Sequence, residues 1–347
     1  MSVRVIVVDD SAFMRKVISD ILSSDSEIEV IGTAKNGKDA LEKIKYYTPD
    51  VVTLDVEMPI MNGLDCLKAI MSSSPIPVIM LSSYTNEGAD ATIRALELGA
   101  IDFIAKPTNI FEIGSEKLKR EITEKVKVAK NTVVNAYTHF IQYRNKVDVQ
   151  PSNNLKKIVA IGTSTGGPKA LQQVIPLIPG NIPAAFVIVQ HMPPGFTKSL
   201  AARLNSMSEL IVKEAEDGDK ITAGCVYIAP GGYHITFEKG RGNVNLIIRL
   251  NQEEPVGGHR PSVNVMMDSL SKTGLKNIIG VIMTGMGADG CEGLKKLKKI
   301  NKALVIAQDE KSCVVYGMPK AAVQAGVVDR ITPLNTISHE IIKLVGV

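Results

Sequence analysis

Residues 158–168, Ile158-Val159-Ala160-Ile161-Gly162-Thr163-Ser164-Thr165-Gly166-Gly167-Pro168, decide what the second half of this chain is. An apolar run of this kind, followed by a glycine-rich turn and the helical pattern Lys169–Ile175, reads as a buried strand running into a helix. Gly162-x-Ser164-x-Gly166 then sits where a nucleophile elbow must sit, between strand and helix. The flanking glycines permit a sharp turn that holds the serine hydroxyl clear of the sheet. The helix N-terminus offers free N–H groups to an oxyanion. GxSxG alone is a common string in Gly/Ser loops; its setting here gives it weight.

On either side of this stretch the same alternation recurs. Lys157–Ile161, Ala184–Gln190, Cys225–Ala229, Ile278–Thr284 and Ala303–Ala307 are expected strands of a mostly parallel, doubly wound α/β domain. His234–Glu238 and Asn245–Arg249, separated by Gly-rich turn residues, are expected as an antiparallel hairpin. Upstream, Val3–Val8, Val30–Ala34, Val51–Leu54, Val78–Ser82 and Asp102–Ile104 predict five strands, the inner ones apolar throughout, as in a parallel sheet covered on both faces. Phe13–Leu22, Gly37–Tyr46, Gly63–Ser72 and Glu87–Leu98 supply its crossover helices, giving a doubly wound five-stranded domain of flavodoxin-like type. The expected division is therefore a first domain over 1–120, a charged helical extension and linker over 121–154, and a second domain over 155–347. Val149-Gln150-Pro151-Ser152-Asn153-Asn154 is the polar, turn-rich end of that linker.

Size and composition agree with this division. The 347 residues are enough for two cores, and 45% hydrophobic with 22% charged residues is ordinary for a soluble globular protein. A net charge of +4, from 40 basic and 36 acidic residues, gives no basic stripe, so nucleic acid is not an expected partner. The four cysteines are scattered singly, without metal-ligand spacing, and read as reduced thiols. No apolar stretch reaches the length of a signal peptide's core or a membrane span, so the expected location is cytoplasmic, without direct membrane insertion.

In a doubly wound sheet the loops after the strands converge at one edge, where ligands bind. In the first domain that edge collects Asp9 and Asp10 after the first strand, Asp55 at the third, Ser82 at the fourth and Lys106 after the fifth. Three carboxylates around one point repel one another and call for a hard cation, for which Mg²⁺ with oxygen ligands is suited. With that charge neutralised, a carboxylate can attack a phosphoryl group while a lysine and a hydroxyl stabilise the developing charge.

In the second domain the serine needs a base. Of five histidines, His139 falls in the linker, His339 in the last helix, His234 in the hairpin and His259 in a Gly-rich loop. Only His191 directly follows a buried strand, Phe186–Gln190, on the edge that carries Ser164. For the orienting acid, Asp289 arrives at the same edge after the strand Ile278–Thr284; Asp217, Asp219 and Asp268 are weaker candidates. The order Ser, His, Asp differs from that of the α/β-hydrolases. Gly285-x-Gly287-x-x-Gly290, with Asp309 about twenty residues on, also fits a dinucleotide site. Too little chain follows to build the second nucleotide half, and that reading leaves Ser164 and His191 without a purpose.

The first 120 residues resemble the receiver domain of bacterial response regulators. The resemblance implies that Asp55 is the phosphoacceptor, that Asp9, Asp10, Asp55 and the backbone of Glu57 hold Mg²⁺, that Ser82 and Lys106 are the switch residues, and that the switch aromatic lies near Phe103. Residues 155–347 resemble the catalytic domain of the chemotaxis protein-glutamate methylesterases. The likeness rests on residues 161–168, Gln190-His191-Met192, Ala229-Pro230-Gly231-Gly232, His259-Arg260-Pro261-Ser262-Val263 and residues 283–290. It implies a Ser164, His191 and Asp289 set with oxyanion contacts from the Thr165 and Met286 backbone and no cofactor for the esterase. It further implies chemoreceptor cytoplasmic domains as substrates, a chemotaxis histidine kinase as phosphodonor, and deamidation of receptor glutamines as a second activity; the expected mode of control is a receiver that covers the Ser164 edge until phosphorylated.

Overall fold

The computed structural model describes residues 2–107, 113–132, 154–240 and 246–346. These fall into two compact units, one within residues 1–140 and one within 141–347.

In the first unit the strands β1 (Val3–Val8), β2 (Ile28–Ala34), β3 (Val51–Asp55), β4 (Val78–Ser82) and β5 (Asp102–Ala105) form one parallel sheet in the order 2-1-3-4-5. Helices α1 (Ala12–Ser23), α2 (Gly37–Tyr47), α3 (Gly63–Ser73) and α4 (Asn86–Glu97) cross between them. Strands β1, β3 and β4 are almost wholly buried, which is why they read as mainly apolar runs. Register brings their carboxyl ends level: Val8 pairs with Leu54, Asp55 with Leu81 and Ser82 with Ala105.

Helix α5 (Glu116–Lys130) begins before residue 120, so the boundary expected there falls inside a helix. Its narrow apolar stripe, Ile122, Val126 and Ala129, is fully buried against α1 and the sheet. Most of its charged residues face outward, as an amphipathic helix covering one sheet face requires, but Lys125 turns inward to pair with Asp102 at 3.5 Å and to donate to the Phe103 carbonyl. The linker end at 149–153 and His139 lie outside the described residues.

In the second unit β6 (Lys157–Thr163), β7 (Ala184–Gln190), β8 (Ile211–Glu214), β9 (Cys225–Ile228), β12 (Ile278–Ile282), β13 (Leu304–Gln308) and β14 (Arg330–Thr332) form a wholly parallel sheet in the order 14-13-12-6-7-9-8. The hairpin β10 (His234–Lys239) and β11 (Leu246–Asn251) stands apart as a two-stranded sheet. Helices α6 (Gly167–Val174), α7 (Phe196–Met207), α8 (Val263–Lys272), α9 (Cys291–Lys296), α10 (Met318–Gln324) and α11 (Ile337–Val345) complete the layers. The chain leaves β6 first toward β7 and later returns to lay β12 on its other side. That reversal is a topological switch point, where parallel sheets open a crevice for ligands.

Candidate functional site

Two of the catalytic candidates of the second unit directly follow strands beside that switch point, and the third lies in the loop after a neighbouring strand. Thr163 pairs with Gln190 across β6 and β7, so the next residues, Ser164 and His191, leave the sheet as neighbours on adjacent strands. The His191 amide donates to the Thr163 carbonyl at 3.2 Å. Gln190 braces the turn: it accepts from Thr163 Oγ1 at 2.6 Å and donates through Nε2 to the Ser164 carbonyl at 2.9 Å. On the opposite side the Ser164 amide donates to the Thr284 carbonyl at 3.0 Å, and Thr284 Oγ1 donates to the Thr165 carbonyl at 2.9 Å. Gly285 lies so close that a Cβ there would stand 2.8 Å from Ser164 Cβ. Gly166 takes φ +75°, the left-handed region open to glycine, and starts α6 immediately after the nucleophile.

Asp289 follows β12 and turns back onto the N-terminus of α8. Its Oδ2 meets His191 Nε2 at 2.8 Å and accepts from the Val263 amide at 2.7 Å; Oδ1 accepts from Ser262 Oγ and the Asn264 and Gly290 amides. Burial by itself would raise this carboxyl. The bond and charge of His191, with the Asn264 and Val263 amides, outweigh it and hold Asp289 below the usual carboxylate range. An ionised carboxylate only accepts, so the proton of neutral His191 belongs on Nε2. The basic nitrogen is therefore Nδ1, which is buried and, among the described residues, has no hydrogen-bond partner. Ser164 Oγ is thus not bonded to the imidazole here; in free enzymes such contacts often tighten only with substrate bound.

Two amides bracket the serine. Thr165 is buried and Met286 half-buried, and among the described residues neither amide donates a hydrogen bond. The weaker acids serve elsewhere: Asp217 pairs with Arg249, Asp219 with Lys213, and Asp268 with Lys272 and Lys296. Asp309, the acid the dinucleotide reading needs, caps the short turn Glu310–Ser312. His339 is exposed on α11.

Three contributors escape sequence reading. His259 stacks on His191 with ring centroids 3.7 Å apart and planes within 6°. His234 is fully buried, its Nδ1 accepting from the Ser262 amide at 3.3 Å and its Nε2 reaching the Glu254 carbonyl at 3.1 Å. Ser262 caps α8 and holds Asp289. The only signal available was that residues 259–263 form a motif with no assigned task.

In the first unit, carboxylate oxygens of Asp9, Asp10 and Asp55 lie within 4.8 Å of one another. Lys106 Nζ pairs with Asp9 at 2.8 Å and Asp55 at 2.7 Å. Burial pushes the Asp55 carboxyl up to about 6; Lys106 opposes that rise and the charge of Asp9 adds to it. One lysine thus leaves the cluster's negative charge uncompensated, and a set of hard oxygens in that condition fits Mg²⁺. The Glu57 amide sits 3.4 Å from Asp55 Oδ1. Ser82 Oγ donates to the Gly88 carbonyl at 3.0 Å, and Phe103 is buried on β5.

An acid pocket on a 2-1-3-4-5 sheet, followed by a strand-end serine beside a carboxylate-held histidine, defines a receiver-bearing hydrolase. Comparison with known proteins agrees. Residues 5–116 match the response regulator receiver domain and residues 159–341 the CheB methylesterase domain. Curated relatives named protein-glutamate methylesterase/protein-glutamine glutaminase include those of Syntrophomonas wolfei, 49% identical over 98% of this chain and 99% of the relative, and Bacillus subtilis, 46% identical over 99% and 98%. The crystal structure of the Thermotoga maritima CheB methylesterase catalytic domain aligns with a TM-score of 0.52 and 46% identity over 54% of this chain and 98% of that one. The chain belongs to the protein-glutamate methylesterase/protein-glutamine glutaminase family.

Proposed function

We propose that this chain is a phosphorylation-controlled esterase of the cytoplasm that removes methyl groups from glutamate methyl esters on chemoreceptor cytoplasmic domains, and deamidates receptor glutamines by the same route. The observation that carries the reading is the register pairing that sets Ser164 and His191 on adjacent strand ends, with Asp289 fixing the proton of His191 on Nε2.

Ser164 Oγ attacks the γ-carbonyl carbon as His191 Nδ1 takes its proton, and the Thr165 and Met286 amides receive the oxyanion. The tetrahedral adduct collapses; the methoxy oxygen takes the proton from His191 and leaves as methanol. Water then attacks the acyl-serine, giving its proton to Nδ1, and glutamate departs as Ser164 is reprotonated. With an amide substrate the same steps release ammonia. Asp289 stays ionised throughout and stabilises the imidazolium. The esterase uses no cofactor.

In the receiver, Asp55 accepts the phosphoryl group from a chemotaxis histidine kinase. Asp9, Asp10, Asp55 and the Glu57 carbonyl would hold Mg²⁺, which supplies neutralisation of the phosphoryl oxygens. Lys106 pairs with the modified Asp55, and Ser82 is the hydroxyl that turns toward it. Acylation chemistry is thereby placed under the kinase's control.

The test is methanol release from a methylated chemoreceptor fragment by the full chain, with and without acetyl phosphate and Mg²⁺. Release is expected from the wild type, to rise with the phosphodonor, and to fall to background in Ser164→Ala. Undiminished release by Ser164→Ala would overturn the assignment.

A further inference from the structure

A hydrogen bond between His191 Nε2 and Asp289 fixes one atom of the ring and leaves the ring free to rock about that bond. Transfer of a proton from Ser164 to Nδ1 requires a fixed plane as well. One flat surface lies against that plane, the face of His259, 3.7 Å away and nearly parallel. Resting on the reading of Ser164, His191 and Asp289 as the esterase set, we propose that His259 is a positioning residue for that reaction: its flat face holds the His191 ring in plane and supports it as imidazolium.

The loop is built to present that face. Val256 and His259 exchange both backbone hydrogen bonds, at 3.1 Å each, across a two-residue turn of Gly257 and Gly258. Both glycines lie in the left-handed region, at φ +61° and +83°, the requirement of this tight reversal. Beyond the turn, Arg260 Nη1 donates to the Gln252 and Glu253 carbonyls at 2.9 and 3.0 Å, and the Arg260 carbonyl accepts from the Gly232 amide. His234 ties the two ends of the segment together, between the Glu254 carbonyl and the Ser262 amide. Ser262 then reaches Asp289. One short segment therefore delivers both restraints on His191: the flat platform from His259 and, through Ser262 and the start of α8, the orientation of its carboxylate.

Stacking matters most when His191 is charged. The face of a neighbouring aromatic ring carries negative potential and attracts a cation held over it. That attraction appears as the serine proton arrives on Nδ1 and disappears when it leaves, so it favours the transition state over bound substrate and belongs in kcat.

The experiment compares His259→Ala and His259→Leu with His259→Phe and His259→Tyr in the full chain, reading kcat and KM for methanol release and the slowly exchanging Nε2 proton of His191 by NMR. The variants without a ring should lose about tenfold or more in kcat with KM within about threefold, and lose the protected imidazole proton. The aromatic variants should keep kcat within about threefold of wild type and keep that proton. Loss in His259→Phe as deep as in His259→Ala would show that a ring nitrogen, not the face, is at work, and would overturn the proposal; so would full activity in His259→Ala. Should the alanine chain fail to fold, His259→Phe decides alone by the same criterion. If wild type itself releases no methanol, the esterase reading fails, while the NMR comparison still tests the platform.

Discussion

Replacing Asp55 by Asn should make the receiver more stable, although it removes one partner of an ion pair. Asp55 is 3% exposed, and its carboxyl is raised from 3.8 to about 6 even with Lys106 at 2.7 Å. A raised pKa means that the folded state binds the proton more tightly than the unfolded chain. The ionised form is therefore the one that folding disfavours. The penalty is absent below the unfolded value near 3.8 and grows as pH rises toward about 6, above which it is complete. A shift of roughly two pK units corresponds to about 3 kcal/mol. Asn has the shape of Asp without the charge, and Lys106 retains Asp9. In metal-free buffer at pH 7.5, calorimetry of the full chain should show the receiver transition raised by several degrees in Asp55→Asn, on a scale of about 2–8 °C per kcal/mol for domains of this size range. The gain should shrink to nothing near pH 4, and Mg²⁺ should stabilise the wild type more than the variant. A variant equal to or weaker than wild type at pH 7.5 without metal would refute the argument that buried repulsion outweighs the lysine.

Asp289→Asn should lower kcat by about 10⁴, the loss known when a triad carboxylate becomes an amide and the histidine adopts the wrong tautomer; the wrong tautomer here puts the proton on Nδ1. Methanol release measures it, and a fall of less than tenfold would mean that Nε2 does not need this acceptor. Gly285→Ala drives a Cβ against Ser164 Cβ and the Met318 side chain. It should abolish esterase activity while leaving acetyl-phosphate labelling of Asp55 unchanged, and an active alanine variant would show the serine turn to be looser than drawn.

The strands that carry chemistry were legible because each is largely buried on both faces and so is written as a mainly apolar run; Val3–Val8 and Ala184–Gln190 fall where the residues predict. Strands β8 and β14 were not. They are four and three residues long and only partly buried, so their composition carries no period to detect. Helix α5 misled for a different reason: its stripe is narrow and most of its surface charged, which in sequence resembles an extension rather than a layer of the first unit. At the site, Ser164 and His191 directly follow strands and Asp289 lies a short loop beyond β12, which is what made them candidates in the sequence. His259 and His234 follow none, and their partners lie dozens of positions away in the chain. Contacts of that kind are properties of the folded chain alone.

Asp55 and Asp289 are both largely buried aspartates at the carboxyl ends of parallel strands, and their pKa values move in opposite directions. The difference lies in what surrounds them. Asp289 accepts from three backbone amides, one hydroxyl and one imidazole, so its charge is satisfied, as the proposed role of an ionised partner to a protonated histidine requires. Asp55 has one long bond from the Glu57 amide and shares Lys106 with Asp9, beside the further carboxylate of Asp10, so its charge is poorly satisfied. A carboxylate in that state gains when a metal ion enters, and it retains the electron density that phosphoryl attack needs. On the proposed function the same residue type would serve as a fixed counter-ion in one unit and as a nucleophile in the other, and the difference follows the donors each carboxylate is given.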